Sequence, residues 1–162
     1  MQLLRRFLAL ALGERRVLVK ATFWLAVVKL GLGRIPFATL RRLTTGGGRN
    51  GARLAGDRAV LDQVPWAVTV AGRYVPGRTT CLSRALTVQG MLARLGYPSR
   101  LHVGVLRGKQ GEVEGHAWVE CEGRILIGGT PSEIGKFTPL AVFDVQVPAF
   151  RLQAVETLQG SQ

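Results

Sequence analysis

The chain has 162 residues, enough for one domain with a real core, so neither a disulfide nor a metal staple is needed for stability. Lysine and arginine number 22 against 10 aspartate and glutamate, and the resulting formal net charge of +12 points to an acidic partner: nucleic acid, an anionic membrane surface or an acidic peptide. The two cysteines lack the Cys-x-x-Cys spacing of a zinc or dithiol redox site, and a secreted disulfide scaffold of this length would usually carry more of them, so a reducing cytoplasm is the expected compartment.

The first segment, MQLLRRFLALALGERRVLVKATFWLAVVKLGLG, is rich in apolar residues. Arg5, Arg6, Arg15, Arg16, Lys20 and Lys29 interrupt it too often for a spanning helix, which needs roughly 18 to 20 apolar residues, and no small-residue cleavage site follows a clean apolar run. It reads as one or two amphipathic helices. From Gly13, Val17, Leu18, Ala21, Trp24, Leu25 and Val28 recur at steps of three and four and predict a helix whose apolar face packs on the domain, with partner or peripheral membrane contact as the other uses of such a face. Gly31 and Gly33 weaken its end, Pro36 suits the first turn of a short second helix, and FATLRRL carries that helix to about Leu43.

Residues 44–58, TTGGGRNGARLAGDR, are dense in glycine and poor in large apolar side chains, as a linker or surface loop would be. The arginines at 41, 42, 49, 53 and 58 have no interleaved aromatics and form no nucleic-acid-binding motif, so a solvated basic surface is expected and no nucleic-acid partner. The organisation expected is a helical region over residues 1–43, the glycine-rich stretch 44–58, and a core domain over residues 59–162.

A helical pattern returns in AVLDQVPWAVTVAGRYV, with Pro65 expected near a helix start and Pro76-Gly77 at a turn. Thr79 or Thr80 is a credible N-cap for the next helix, in which Leu82, Ala85, Val88, Leu92 and Leu95 keep helical spacing until Gly96, a natural C-terminal cap. Cys81 then falls in the first turn. SRLHVGVLRG follows as a strand with Leu101, Val103 and Val105 on one face, then the loop KQGEVE. GHAWVECEGRILIGG reads as a hairpin turning at Glu122-Gly123, with Cys121 opposite Arg124 and His116 brought close to Gly128 and Gly129. A last segment lies around FDVQVPAF, and there is no internal repeat.

A thiol in the first turn of a helix meets the positive end of the helix dipole and the unpaired backbone N–H groups there, both of which favour thiolate. An imidazole within reach would stabilise it further and later protonate a leaving amine, the logic of Cys-His acyl transfer, with a third group normally orienting the ring. Cys81 at a helix start and His116 at a strand start fit those roles. The competing reading is an inert buried thiol and a core histidine, but an inert cysteine belongs on the apolar stripe of its helix, and Cys81 follows the polar RTT instead. Cys121 sits beside a hairpin turn without such placement, and His102 alternates with Leu101 and Val103 as a polar-face or core residue. A metal site built from Cys81, His102, His116 and Cys121 matches no familiar ligand spacing, so no metal or cofactor is expected.

RYVPGRTTCLSRALTVQGMLARLGYPSRLHVGVLRG followed by EGHAWVECEGR resembles the lasso-peptide biosynthesis B proteins in their short form, transglutaminase-like cysteine proteases that remove the leader peptide of a ribosomal precursor. LGERRVLVKATFWLAVVKLGLGRIPFATLRRL is similar to the helical N-terminal part of the same family; the joint occurrence of CLSRAL and HAWVE is the more specific signal. The resemblance implies an α+β, papain-like core in which the nucleophile helix packs on an antiparallel sheet. It implies hydrolysis of one precursor bond through a Cys81 thioester with His116 as general base and acid, a separate leader-recognition protein, and a macrolactam-forming cyclase acting afterwards. Alternatives are acyl transfer to an amine, which shares the thioester, or a catalytically silent basic module that binds a leader or a membrane.

The family often carries an aspartate on the second hairpin strand opposite the histidine, where this chain has Gly128. The acceptor for the imidazole is then expected to be a backbone carbonyl near Gly128, a water, or Ser132 or Glu133. Glu120 lies four residues along the strand from His116, about 13 Å away, and is a poor candidate. Gly128→Asp should restore the family arrangement unless the glycine is required for backbone conformation or close approach.

Overall fold

The computed structural model describes residues 11–46, 58–108 and 111–145. Their elements, in order, are α1 (Leu12–Leu32), α2 (Phe37–Thr45), α3 (Arg58–Ala71), α4 (Cys81–Arg94), β1 (Ser99–Arg107), β2 (Val113–Cys121), β3 (Arg124–Ile127), α5 (Pro131–Ile134) and β4 (Thr138–Val145). Most of the glycine-rich stretch and the end of the last segment lie outside the described residues.

The Glu14 carboxylate accepts the N–H of Ala11 at 3.0 Å and sits at the positive end of the α1 dipole. Leu18, Ala21, Leu25, Val28 and Gly31 bury one face of the helix, while Leu12, Val19, Phe23 and Leu30 stay exposed. A Cβ at Gly31 would lie 2.6 Å from Leu40 Cδ1, so the bare glycine leaves room for the Leu40 side chain where α2 packs on α1. Arg94 ties the two helices to α4. Its guanidinium lies 3.8 Å from the Trp24 ring centroid and donates to the carbonyls of Leu43 (3.0 Å) and Gly90 (3.2 Å).

The expected place of Pro65 needs correction. α3 begins at Arg58 and carries Pro65 in its interior, which forfeits one helical hydrogen bond at a cost of about 3 kcal/mol. The cost is offset because Pro65 is itself buried on the face that includes Leu61, Val64, Val68 and Ala71.

α4 is the central helix, with almost every residue from Ser83 to Ala93 buried. Thr80 caps its start, its hydroxyl accepting from the Ser83 N–H at 3.1 Å. Gly96, at φ 84°, ends it: Tyr97 N–H donates to Leu92 and Gly96 N–H to Ala93, the paired bonds of a Schellman motif. α1, α2 and α3 pack on α4, and the sheet covers another side of it.

The four strands run in the order β3-β2-β1-β4, with antiparallel pairing throughout. Leu101, Ala117, Val119 and Cys121 join the core from the inner face, with Val103 and Phe143 beside them. On the other face His102 opposes Trp118 and Gly104 opposes His116, so the glycine leaves space where the indole ring passes, 3.1 Å from where its Cβ would be. The β2–β3 turn is as the sequence predicts: Cys121 pairs with Arg124, and Glu122 (φ 51°) and Gly123 (φ 74°) give the two positive φ angles of a type I′ turn. A register shift between Val119 and Glu120 then pairs Val119 with Ile127, and the ladder ends there, before Gly128. The result is an α+β fold with an antiparallel sheet on the helix that bears Cys81. Among the described residues no helix is long and apolar enough to cross a membrane.

Candidate active site

Cys81 is the first residue of α4 and is partly exposed. Thr80 caps Ser83, and among the described residues the backbone N–H groups of Cys81 and Leu82 at the head of the helix have no such partner. The thiol leans on β2, with Sγ 3.8 Å from the carbonyl oxygen of Gly115. That carbonyl belongs to the peptide unit leading into His116. A Cβ on Gly115 would meet nothing within 4 Å, so the backbone beside the sulfur is open to an approaching peptide.

His116 points its ring along the outer face of the sheet. Its Nε2 lies 2.5 Å from the carbonyl oxygen of Gly128. A carbonyl only accepts, so Nε2 carries the proton of the neutral ring and Nδ1 is left as the basic nitrogen. The ring stacks on Phe137, with centroids 4.8 Å apart and planes 27° from parallel, and on Trp118 at 6.3 Å and 22°. Thiol and imidazole are hydrogen-bonded to two different carbonyls and not to each other.

Gly128 fills the acceptor role through its backbone, one of the possibilities left open by the sequence. Its φ is 113°, and a Cβ there would sit 2.3 Å from Trp118 Cβ and 2.7 Å from Trp118 Cα. The expectation that Gly128→Asp restores a carboxylate third member therefore fails on its own proviso, since both conformation and close approach require glycine. Glu133 and Ser132 are engaged elsewhere. The Glu133 carboxylate accepts from Thr130 N–H (2.7 Å) and Thr130 Oγ1 (2.9 Å), closing a capping box on α5, and Ser132 Oγ is 3.1 Å from Thr130 Oγ1. Those Thr130 hydrogen bonds, backbone first, hold the Glu133 carboxyl below the usual carboxylate range; Lys136 and His116 add smaller contributions of the same sign.

The other cysteine and histidine lie apart from this arrangement. Cys121 is buried, its Sγ donates to the Pro98 carbonyl at 3.1 Å, and burial, helped by Glu122 and opposed by Arg124, pushes its pKa up to about 11. His102 lies flat on Trp118, with centroids 5.2 Å apart and planes 3° from parallel, and its Nε2 is 3.4 Å from Glu120. The 3.4 Å contact lacks hydrogen-bond geometry, but it sets the Glu120 carboxylate beside His102 and not His116. Among the described residues no three His, Cys, Asp or Glu side chains gather as metal ligands would.

Phe137 is absent from the sequence-based candidates. Its signal was faint: one of two large apolar residues, with Ile134, in the polar run TPSEIGKFT, outside any periodic pattern.

No curated protein and no solved structure matches the chain. The family model of the transglutaminase-like superfamily matches residues 22–142, about three quarters of the sequence. Because that match runs from the middle of α1 into β4 and takes in both the head of α4 and the imidazole-bearing strand, the chain belongs to the transglutaminase-like superfamily.

Proposed function

We propose that this chain is a cysteine peptidase that removes the leader of a ribosomally made lasso-peptide precursor, with Cys81 as nucleophile and His116 as general base and acid. The observation that carries the proposal is the fixed imidazole: Gly128 holds the Nε2 edge and so leaves Nδ1 as the nitrogen for proton exchange, while the Cys81 sulfur contacts the carbonyl of the peptide unit that leads into His116. Substrate entry displaces the Sγ contact with Gly115 and turns the sulfur toward Nδ1; catalytic hydrogen bonds are commonly looser before substrate binds.

The thiol proton passes to Nδ1 as sulfur attacks the scissile carbonyl, and the oxyanion falls to the N–H groups left over at the head of α4. The imidazolium then protonates the departing amine, and the leader remains on Cys81 as a thioester. Water, deprotonated by His116, resolves it. The leader-peptidase assignment draws on CLSRAL and HAWVE occurring together. It implies a separate leader-recognition protein, a cyclase acting on the freed core peptide, and a reducing cytoplasmic setting in which Cys81 stays a free thiol.

The test is a cleavage reaction containing this chain, its precursor and the leader-recognition protein, read by product mass. Free leader and core, lost in both Cys81→Ala and His116→Ala, support the proposal. An amide-linked product would assign acyl transfer instead, and no reaction with the complete set would leave a binding module.

A further inference from the structure

One loop makes two different contacts with the same imidazole. The stretch from Gly128 to Phe137 leaves β3, forms the capped helix α5 and enters β4. Its first residue accepts from His116 Nε2, and its last large apolar residue stacks on the ring. We propose that Phe137 is a positioning residue for His116: its ring fixes the plane of the imidazole and keeps water from the His116–Gly128 hydrogen bond, so that loop and carbonyl together take the place of a charged third member. This proposal rests on the assignment of His116 as the base and acid of the reaction.

The physical need follows from the neutral acceptor. A hydrogen bond to a backbone carbonyl has only a small net worth when water competes for both partners. It directs Nε2, and beyond Phe137 only the looser Trp118 stack, at 6.3 Å, opposes rotation of the ring about the bond. A ring stacked at 4.8 Å, within the usual range for aromatic pairs, restrains that rotation and covers one face of the imidazole.

Two further observations support the assignment. Phe137 is outside the main hydrophobic core, so the large side chain is spent on the imidazole instead of on core packing. The loop is also braced along its length. Gly128 is pressed on Trp118, Thr130 and Glu133 cap α5, Ile134 is buried, and Phe137 N–H donates to the Ile134 carbonyl at 2.9 Å.

The test uses full-length protein labelled with 15N-histidine, with iodoacetamide as a probe of Cys81. In the wild type the His116 Nε2 proton should exchange slowly enough to be seen by proton NMR, with His116→Ala giving the assignment. Phe137→Ala should broaden that signal away and slow Cys81 alkylation by up to about 100-fold, the scale for a reacting pair misplaced by an ångström. Phe137→Leu, which keeps an apolar cover, should retain the signal and most of the rate. An unchanged ring proton and an unchanged alkylation rate in a folded Phe137→Ala protein would overturn the proposal. If His116→Ala is alkylated as fast as the wild type, the proposed Cys81–His116 pairing fails, while the ring-proton comparison still decides for or against Phe137.

Discussion

Replacing Gly128 by alanine should damage the protein more than the loss of one glycine suggests. At φ 113° an alanine is strained, by about 1–2 kcal/mol on the scale for L-residues forced into left-handed backbone. Its Cβ would also lie 2.3 Å from Trp118 Cβ, where non-bonded carbons prefer about 3.5–4.0 Å. Relieving an overlap of that depth costs about 1–3 kcal/mol in a packed site. Together these terms give about 2–5 kcal/mol, a large part of the ~5–15 kcal/mol that holds a domain folded. At about 2–4 °C per kcal/mol for a chain of this length, Tm should fall by roughly 4–20 °C. Gly123→Ala is the control, because Gly123 has φ 74° but nothing within 4 Å of its would-be Cβ, so only the backbone strain applies. Thermal unfolding of both variants isolates the contact with Trp118. Cleavage measured below both transitions should fall in Gly128→Ala alone, because the carbonyl holding His116 must move. Equal Tm values for the two variants, with full cleavage by Gly128→Ala, would refute the close packing and the positioning role of the Gly128 carbonyl together.

Cys121→Ala should leave cleavage intact and cost stability on the order of 1–3 kcal/mol in chemical denaturation, since it strands the Pro98 carbonyl. Because the Cys121 pKa is raised from 9.0 to about 11 by folding, its thiol contributes stability that is present below pH 9 and is lost as pH rises toward about 11; unfolding free energies of Cys121→Ala should lack that slope. Glu133 has the opposite sign: its pKa is lowered in the fold, so its contribution is present above the ordinary carboxyl value and is lost as pH falls, and the protection of α5 backbone amides relative to their intrinsic exchange rates should fall on acidification. Glu133→Gln should cleave nearly as fast as wild type at neutral pH, since glutamine also closes a capping box; a large fall in the acylation rate would reassign Glu133 to the imidazole. His102→Ala should lower Tm by removing the stack on Trp118 while leaving single-turnover cleavage measurable.

Local chemistry made some of this legible in the sequence. Glu122-Gly123 announces its turn because two positive φ angles need such residues, and Thr80 and Gly96 mark the ends of α4 because helix termini need partners for their free N–H and C=O groups. Pro65 stands inside α3 and not near its start because burial on that helix outweighs local propensity, and propensity is all that a single residue shows. The register shift at Val119 and the turn of Gly128 back toward His116 depend on contacts across strands. A missing side chain at position 128 was visible; which backbone atom replaces it was not, because a carbonyl has no signature in a sequence. Phe137 was invisible for a related reason, since its partner lies on another strand and stacking has no sequence period.

The central claim is that Cys81 carries the acyl group. Precursor and leader-recognition protein should be mixed with the full chain, quenched in acid within the first turnover, and read by intact mass and peptide mapping. The account predicts a leader-sized adduct on Cys81, released by hydroxylamine and absent from Cys81→Ala. Leader cleavage that continues in Cys81→Ala, or a thioester found on Cys121, would contradict it.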